Sequence, residues 1–288
     1  MASMRDIKRR RESIQSTEQI TKAMKLVATV KLQKAKARAE ESQPYFNAMY
    51  ATVKSVLKKS GNINHPYLNG AGEGKKGIIV ITSNRGLAGG YNSNVMKLVT
   101  ESGMQKEDVL IYAIGRKGRD GLARRGYHIE QDYSDAINEP LFSDASAIGK
   151  QVLSDFAEGK ISEIYLAYTV FKNTVSHVPT FIRLLPVSFD EANEEPEDSA
   201  DALTLMNYEP EAEEAIELIV PKYVNSLIYG GLVQALASEN GARMQAMDSA
   251  TNNADEMISD LGLKYNRARQ SSITQELTEI IAGANAIG

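Results

Sequence analysis

The longest helical pattern in the chain lies near its C-terminal end, from residue 221 to residue 286. Apolar residues recur there at alternating steps of three and four: Met247, Ala250, Ala254, Met257 and Leu261. This spacing keeps them on one face of an α-helix. At ~1.5 Å per residue the helix is roughly 100 Å long, whereas a compact globule of this size has a radius of gyration of about 19 Å. We therefore expect the helix to pack against another helix, another protein or both.

The last turns of this helix are apolar on most sides. The apolar residues there are Ile273, Leu277, Ile280, Ile281, Ala282, Ala284 and Ile287. A membrane span needs ~20 apolar residues, and Glu276 and Glu279 interrupt the run. We expect this tip to lie inside another protein. Just before it stand three long hydrogen-bonding side chains, Arg267, Arg269 and Gln270. They either bond that protein or are simply solvated, and periodicity alone leaves both alternatives open.

Residues 3–59 predict a second long helix. Its sparse apolar stripe consists of Met4, Ile7, Ile14, Ile20, Met24, Val27 and Ala28. Ser3 and Asp6 have the spacing of a reciprocal N-terminal cap, and we expect Pro44 to kink or break the helix. Long striped helices at both ends of a chain are typical of an antiparallel coiled coil. Two separate bundle helices are the alternative, and the lack of a third long helix weakens it.

The register of this coiled coil follows if both helices leave the middle of the chain together. Residue 57 then lies near residue 209. At equal rise along each helix, Ile20 lies opposite Ala246 or Met247, within one turn. By the same count Ile7 lies opposite Ile258 or Leu261. The helix beyond Tyr265 is then expected to have no partner within the chain.

Between the helices, strand patterns alternate with helix patterns. We predict strands at 77–82, 108–114, 161–169 and 179–185 and helices at 94–101 and 117–125. This alternation indicates a Rossmann-like α/β domain with a mostly parallel sheet. The expected divisions are an N-terminal coiled-coil helix (1–59), a linker loop (60–76), an α/β domain (77–189), an acidic linker (190–209) and a C-terminal coiled-coil helix (210–288). The fold class is thus α/β plus a long antiparallel coiled coil.

Charge is unevenly distributed along the chain. Residues 1–60 hold fourteen Lys or Arg against five acids, a net charge of +9, although the whole chain has a net charge of −4. Residues 190–217 hold twelve acids and no Lys or Arg. A basic arm of this kind is either a solvated helix face or a surface for an anionic partner. With neither a signal peptide nor a transmembrane run, we expect a soluble, intracellular chain.

Few residues of the chain suggest a metal, cofactor or phosphate site. The chain has no cysteine and three widely separated histidines, His65, His128 and His177, so we expect no metal site and no cofactor. Ser83–Tyr91 (SNRGLAGGY) stands between a strand and a helix, where phosphate-binding loops occur. It lacks the order of a dinucleotide or P-loop motif. We therefore favour a role of its glycines in backbone geometry over nucleotide binding.

Several stretches resemble the γ subunits of the F-type ATP synthase over nearly the full length of the chain. They are IQSTEQITKAMKLVATVKL (14–32), NRGLAGG (84–90), YEP (208–210), LASENGARMQAMDSATNNA (236–254) and YNRARQSSITQELTEIIAGA (265–284). Ala88 stands where many members carry Cys, and the regulatory insertion of the plastid form is missing. The last stretch is long and highly specific, so chance similarity is not a serious alternative.

The resemblance implies a role as the central rotating shaft of the enzyme. Its partners would be the α and β subunits, the ε subunit and the c-ring of the membrane sector. The chain would be a peripheral protein on the cytoplasmic side of the cell membrane, without nucleic acid and without direct membrane insertion. Proton or sodium flow would turn the ring and the shaft. Since chemistry would occur on the β subunits, no catalytic residue is expected in this chain.

The resemblance also carries site residues over, position by position. It implies that Arg269 and Gln270 hydrogen-bond an acidic loop of a β subunit, with Thr274 and Glu276 in the same zone. The residues implied to face the acidic lever of β are Lys8, Arg9, Lys22 and Met24. Tyr208 and Glu209 would touch the c-ring.

Two other functions compete with this interpretation. A nucleotide-binding enzyme would use the loop at 83–91 as its phosphate site. A nucleic-acid-binding coiled coil would show steep salt dependence of DNA affinity. Neither explains an apolar helix tip beside Arg269 and Gln270.

Overall fold

The computed structural model describes residues 3–59, 65–70, 72, 74–187 and 212–287. The predicted acidic linker 190–209, with Tyr208 and Glu209, lies outside these residues, as does part of the predicted loop 60–76. The helices are α1 Met4–Lys59, α2 Pro66–Asn69, α3 Tyr91–Thr100, α4 Arg116–Ala123, α5 Phe142–Ala157 and α6 Ala212–Ile287. The strands are β1 Lys75–Ile81, β2 Val109–Ile114, β3 His128–Asp132, β4 Ile161–Phe171 and β5 His177–Leu185, and a short 3₁₀ turn spans Lys106–Asp108.

The chain forms two compact units. One contains the residues up to Thr29 together with those from Arg243 onwards, and the other runs from Val30 to Ala242. Both long helices contribute residues to both units.

The first unit consists of the outer ends of α1 and α6. At the start of α1, Asp6 N–H donates to Ser3 Oγ at 3.3 Å and Ser3 N–H donates to Asp6 Oδ2 at 3.2 Å. This is the predicted reciprocal cap, which satisfies N–H groups that the first helical turn leaves unpaired. The two helices are antiparallel, as expected, and their register is described with the binding surface below.

The second unit is built on a five-stranded sheet with the order β3-β2-β1-β4-β5. The first four strands are parallel, with Ile79 beside Tyr112 of β2 and beside Leu166 of β4. β5 pairs antiparallel with β4, with Ile182 beside Leu166. The prediction of a mostly parallel α/β sheet is confirmed.

Alternate residues of β1 supply two hydrophobic layers, as the pleat of a strand requires. Ile79 and Ile81 pack in one layer with α5 and α6. Ile78 and Val80 pack in the other with α3, where Val95 and Val99 are fully buried. The α6 residues in the first layer are Ile216, Val220, Val224, Ile228, Leu232 and Ala235. This part of α6 is therefore a layer of the sheet domain.

The structure differs from the sequence analysis at several elements, among them α2, a one-turn helix inside the predicted loop 60–76. α1 is not broken at Pro44, which is exposed; the missing N–H and the ring of a proline are easier to accommodate on a solvated face than in a core. β3 was not predicted because its sequence, HIEQD, is mostly polar. α5 was also missed, although Ala145, Ile148, Val152 and Phe156 have helical spacing and are buried.

Candidate protein-binding surface of the helix pair

The helix pair of the first unit meets along a seam with coiled-coil spacing. The covered positions on α1 are Met4, Ile7, Arg11, Ile14, Glu18, Thr21 and Ala28. Those on α6 are Met247, Thr251, Ala254, Ile258, Leu261, Tyr265, Ala268 and Ser272. Steps of three and four alternate along both helices, which is the pattern of a coiled-coil seam. Several of these positions are polar, so the seam is held by more than apolar contact.

Three cross-helix contacts fix the direction and the register. Thr21 Oγ1 lies 2.8 Å from Thr251 Oγ1, and Lys25 Nζ lies 2.5 Å from Asp248 Oδ1. The Arg11 guanidinium lies 5.8 Å from the centre of the Tyr265 ring, within the range of a cation–π contact. Because the numbers fall on α6 as they rise on α1, the helices are antiparallel.

The predicted register is wrong by more than the turn allowed for it. It placed Thr21 opposite residue 245, whereas the structure places it opposite Thr251, about 1.7 turns away. Ile20, expected to meet Ala246 or Met247, is 58% exposed and lies off the seam. Ile7 and Leu261 do line one groove, together with Lys264 and Ala268. The prediction counted outward from residues 57 and 209 at equal rise along the two helices. The register is instead decided by how the side chains fit together at the seam.

This register also shortens the unpaired end of α6. It was expected beyond Tyr265, but Tyr265 and Ala268 are partly covered. The free tip, which we define as residues 273–285, is exposed throughout. Ile273, Leu277, Ile280 and Ile281 in it are 49%, 54%, 68% and 59% exposed. An apolar segment this exposed is typical of a surface that binds another protein.

The predicted contact residues at this end are accessible. Arg269 and Gln270 are both exposed and directly precede the free tip. Thr274 Oγ1 donates to the Gln270 carbonyl oxygen at 2.9 Å, and Glu276 accepts from Ser272 Oγ at 3.4 Å. The Gln270 side chain and the Arg269 guanidinium are therefore the groups best placed to bond a partner here.

The predicted contact residues of α1 form two groups. Lys8 and Arg9 are exposed near the start of α1, and Lys8 lies 4.0 Å from Glu12. Lys22 is exposed about four turns further along, while Met24 is partly buried. The first group lies toward the same end of the helix pair as Arg269. The second group does not.

A groove between the two helices lies close to Lys8 and Arg9. Its volume is about 600 Å³, and its walls are Asp6, Ile7, Arg10, Leu261, Lys264, Arg267, Ala268 and Ser271. Three cations and one acid surround an apolar floor. The sequence analysis did not identify this groove, because it depends on the register. Such a surface suits an acidic protein segment that also carries an apolar side chain.

The loop considered for phosphate binding uses its polar groups within the protein. Asn92 Oδ1 accepts from Ser83 N–H at 2.9 Å, and Asn84 Oδ1 accepts from the Arg116 N–H at 3.0 Å. Gly118 N–H donates to Thr82 Oγ1 at 2.8 Å. At the start of α3, which follows this loop, the Tyr91 N–H donates to the Ala88 carbonyl oxygen at 3.2 Å. The interpretation of this loop as backbone geometry is favoured, and Gly89 has a φ of +54° that glycine adopts readily.

A buried polar network lies on β2, β3 and α5. Asp155, 4% exposed, accepts a short hydrogen bond from the Tyr112 hydroxyl and one from Gln151 Nε2 at 3.1 Å. Lys160 Nζ lies 2.6 Å from Glu130 Oε1, and this bond lowers the pKa of the Glu130 carboxyl. No group of three potential metal ligands occurs among the described residues. The network joins elements of the sheet domain.

The fold and this surface define a class of protein: an α/β unit combined with an antiparallel helix pair whose exposed apolar end is suited to binding other proteins. Within the described part of the chain, no helix has the length and apolarity needed to cross a membrane.

Comparison with known proteins identifies the family. A family model described as ATP synthase matches residues 3–287. The ATP synthase gamma chain of Lachnoclostridium phytofermentans is 71% identical over 290 residues, with 100% of both chains covered. The sodium-ion-specific ATP synthase gamma chain of Acetobacterium woodii is 42% identical, with 99% of both chains covered. The chain therefore belongs to the γ chains of the F-type ATP synthase.

Solved structures show the same fold. A chain of the Euglena gracilis mitochondrial ATP synthase, in a structure of OSCP, F1 and c-ring, aligns with a TM-score of 0.72 at 19% identity. That alignment covers 99% of this chain and 94% of the other. A chain of the Tetrahymena thermophila central stalk and c-ring aligns with a TM-score of 0.57 at 25% identity, covering 80% and 99%.

Proposed function

We propose that this chain is the central-stalk rotor shaft of a bacterial F-type ATP synthase. It couples ion-driven rotation of the membrane c-ring to ATP synthesis and hydrolysis at the catalytic β subunits. The observation that carries the proposal is the free tip, residues 273–285, which exposes four large apolar side chains. Burying apolar surface contributes about 25 cal/mol per Å², so a sleeve of α and β subunits around the tip stabilises the assembly. The two solved neighbours, described as F1 with c-ring and as central stalk with c-ring, support this placement.

Contact with β subunits is proposed on both helices of the pair. At the tip, Arg269 and Gln270 donate to an acidic loop of β, and Thr274 and Glu276 lie in the same contact zone. Exposure of Arg269 and Gln270 beside the free tip supports this. Hydrogen bonds to charged groups contribute about 1.5–3 kcal/mol each.

Along α1, we propose that Lys8, Arg9, Lys22 and Met24 face the acidic lever of β. Lys8, Arg9 and Lys22 are exposed, and the groove beside Lys8 and Arg9 adds three cations around an apolar floor. An acidic lever of β meets this face with complementary charge. The two groups of α1 residues lie about four turns apart, so the lever contacts them as separate patches.

We further propose that the chain has a foot on the c-ring, beside the ε subunit. Tyr208 and Glu209, which precede the described start of α6 at Ala212, are the proposed ring contacts. The proposed division of the chain keeps the α/β domain 77–189 between the linker loop 60–76 and the acidic linker 190–209. The protein is then a peripheral subunit on the cytoplasmic side of the cell membrane. It is non-catalytic, and the coupling ion, H⁺ or Na⁺, is selected by the ring.

Reconstitution with the α and β subunits of the same organism tests the shaft. We expect ATP-driven rotation of a bead attached to this chain. Replacing both donors, Arg269→Ala with Gln270→Ala, should weaken this assembly or lower coupled ATP synthesis by the intact enzyme, while leaving the circular dichroism of the isolated chain unchanged. Arg124→Ala with Gln131→Ala removes the same side chains from exposed positions of the α/β unit and is the matched control. Normal assembly and synthesis in the first variant would argue against the β contact.

The foot is tested separately with Glu209→Lys. Ion-driven synthesis by the intact enzyme should fall more than ATP hydrolysis by the detached catalytic head, because only the intact enzyme contains the ring. Equal loss of both activities would assign Glu209 to folding or to β contact instead.

A further inference from the structure

A cavity in the second unit lies apart from every surface used in the proposed function. It has a volume of about 260 Å³ and lies between the second half of α1, strand β4 and α6. Its walls are Ala39, Ser42, Gln43, Phe46, Asn47, Met49, Tyr50, Tyr168, Val170, Tyr223, Ser226, Leu227, Gly230, Gly231, Val233 and Gln234. None of these residues carries a charge at neutral pH, which is unusual for an opening on a chain in which 24% of residues are charged.

The glycine pair at positions 230 and 231 shapes one wall. A Cβ at Gly231 would lie 3.1 Å from Leu166 and 3.2 Å from Ile81, so α6 is held against the sheet at this point. A Cβ at Gly230 would lie 3.0 Å from the Phe46 ring. The aromatic ring therefore lies directly on the helix backbone. The rings of Phe46, Tyr50, Tyr168 and Tyr223 also line the cavity, and aromatic rings pack favourably against a planar aromatic molecule.

The polar groups of the walls include several hydrogen-bond donors. Gln43 Nε2 donates to Asn47 Oδ1 at 3.0 Å, and the Asn47 amide nitrogen is a further donor. Gln234 Oε1 accepts the Phe171 N–H at 3.0 Å, so the Gln234 amide nitrogen is likewise a donor. Burial, with neighbouring Tyr50 as the second cause, raises the pKa of Tyr223 to about 12. Burial also raises the pKa of Tyr168. Both phenols keep their protons at neutral pH.

Size, charge and polarity together specify a ligand class. An apolar cavity of ~150 Å³ accommodates benzene, so a cavity of about 260 Å³ accommodates two fused rings. An ionised ligand would lose its hydration without meeting an opposite charge, which is costly. Carbonyl or ether oxygens, in contrast, match the amide and phenol donors. Binding sites for small molecules commonly combine an apolar lining with a few placed polar groups in this way.

We propose that this cavity is a binding site for a neutral, planar, two-ring molecule that accepts hydrogen bonds through carbonyl or ether oxygens. The molecule packs against the Phe46 ring, and the amide and phenol groups bind its oxygens. Because α1, β4 and α6 all contribute walls, an occupant ties these three elements together and raises the stability of the second unit by mass action. None of the residues that the proposed function assigns to β or c-ring contact lines this cavity.

Coumarin is a suitable probe, and its anionic relative coumarin-3-carboxylate is the matched ligand control. With the isolated full chain, saturation-transfer NMR should show saturable coumarin binding with a Kd on the order of 0.1–1 mM. The carboxylate should bind at least ten-fold more weakly. Thermal melting should shift upward with coumarin alone.

Substitutions in α1 test whether coumarin binds in this cavity. Ser42 Oγ bonds only carbonyl oxygens of its own helix, at 3.0 and 3.1 Å, so Ser42→Phe fills the cavity without removing a tertiary contact. It should weaken coumarin binding at least ten-fold, and Ala39→Leu, which adds fewer atoms, should weaken it less. Ser16→Phe makes the same change at an exposed position of α1 and should bind coumarin as the wild type does.

Three results would overturn the proposal. They are the absence of saturable coumarin binding, equal binding of coumarin-3-carboxylate, and unchanged coumarin binding in both folded variants, Ser42→Phe and Ala39→Leu.

Discussion

Two stretches of α6 have similar apolar side chains and opposite surroundings. Between Ile216 and Ala235 one apolar face of the helix packs in a hydrophobic layer of the sheet domain, and Val224, Ile228 and Leu232 are fully buried. In the free tip, Ile280 and Ile281 are 68% and 59% exposed. The first stretch stabilises the fold of this chain, whereas the second contributes stability only when a partner covers it. The comparison shows that an apolar helix face identifies a binding surface but not the molecule that it binds.

The strongest test of this comparison uses disulfide cross-linking to show which part of α6 is paired with α1. Thr21→Cys with Thr251→Cys should cross-link within one chain in high yield, because the two hydroxyls lie 2.8 Å apart. A disulfide needs Cα atoms within roughly 7 Å. Thr21→Cys with Ile273→Cys should give no such product. The chain has no cysteine of its own, so gel mobility with and without reductant reads the result directly. A cross-link to Ile273 instead would overturn the register.

Replacing one isoleucine in each stretch should change the free energy of unfolding by very different amounts. Ile228→Ala removes a fully buried side chain and should lower the free energy of unfolding by about 2–5 kcal/mol. Ile280→Ala, at the exposed tip, should change it by no more than about 0.5 kcal/mol. Urea unfolding of the isolated chain measures both. Similar losses in the two variants would mean that the tip packs on its own chain.

The sheet domain should also respond to acid. The Lys160 hydrogen bond lowers the pKa of the Glu130 carboxyl below its ordinary value. A carboxyl with a lowered folded pKa stabilises the fold above its unfolded pKa, and this stability is lost as pH falls through the folded pKa. Glu130→Gln should therefore cost about 1 kcal/mol at pH 7, and less at pH 3. Denaturant unfolding at both pH values tests this. A cost that does not depend on pH would mean that charge is not the cause.

The smallest expected effect is on the seam itself. Lys25 and Asp248 form a half-exposed ion pair at 2.5 Å, and such pairs contribute about 0.2–1 kcal/mol. Lys25→Ala should destabilise the helix pair by that amount, and high salt should reduce the difference. Lys22→Ala, on the exposed side of the same helix, is the control for lost helix charge. An equal effect of both substitutions would mean that the ion pair is not the cause of the lost stability.

The main elements of the sheet domain were predictable because their signals are local. β1 and β2 are short apolar runs buried on both sides, and α3 begins after a glycine-rich turn. β3 was not predictable in this way: the sheet, and not its composition, makes HIEQD a strand. α5 carried a clear stripe and was simply missed.

For the candidate site too, some features could be predicted from the sequence and others could not. The apolar tip and the exposed side chains of Arg269 and Gln270 follow from the sequence, since a helix with apolar residues on most sides needs a cover. The groove between Ile7, Leu261 and Ala268 does not, because it exists only in one register. Tyr208 and Glu209 rest on the resemblance alone.

The sequence by itself determined that the chain has two long helices with apolar stripes, an α/β middle and an unpartnered apolar end. Each of these follows from the period of apolar residues, which is a local property. Only the tertiary structure decided which residues form the seam. Ile20 and Val27 are each 58% exposed, while Thr21 is 9% exposed and bonds Thr251. Apolar character favours burial of every residue in the stripe. The register of the two helices, however, is set by all of their side-chain contacts together. A one-residue choice between Ile20 and Thr21 therefore cannot be made from one helix alone.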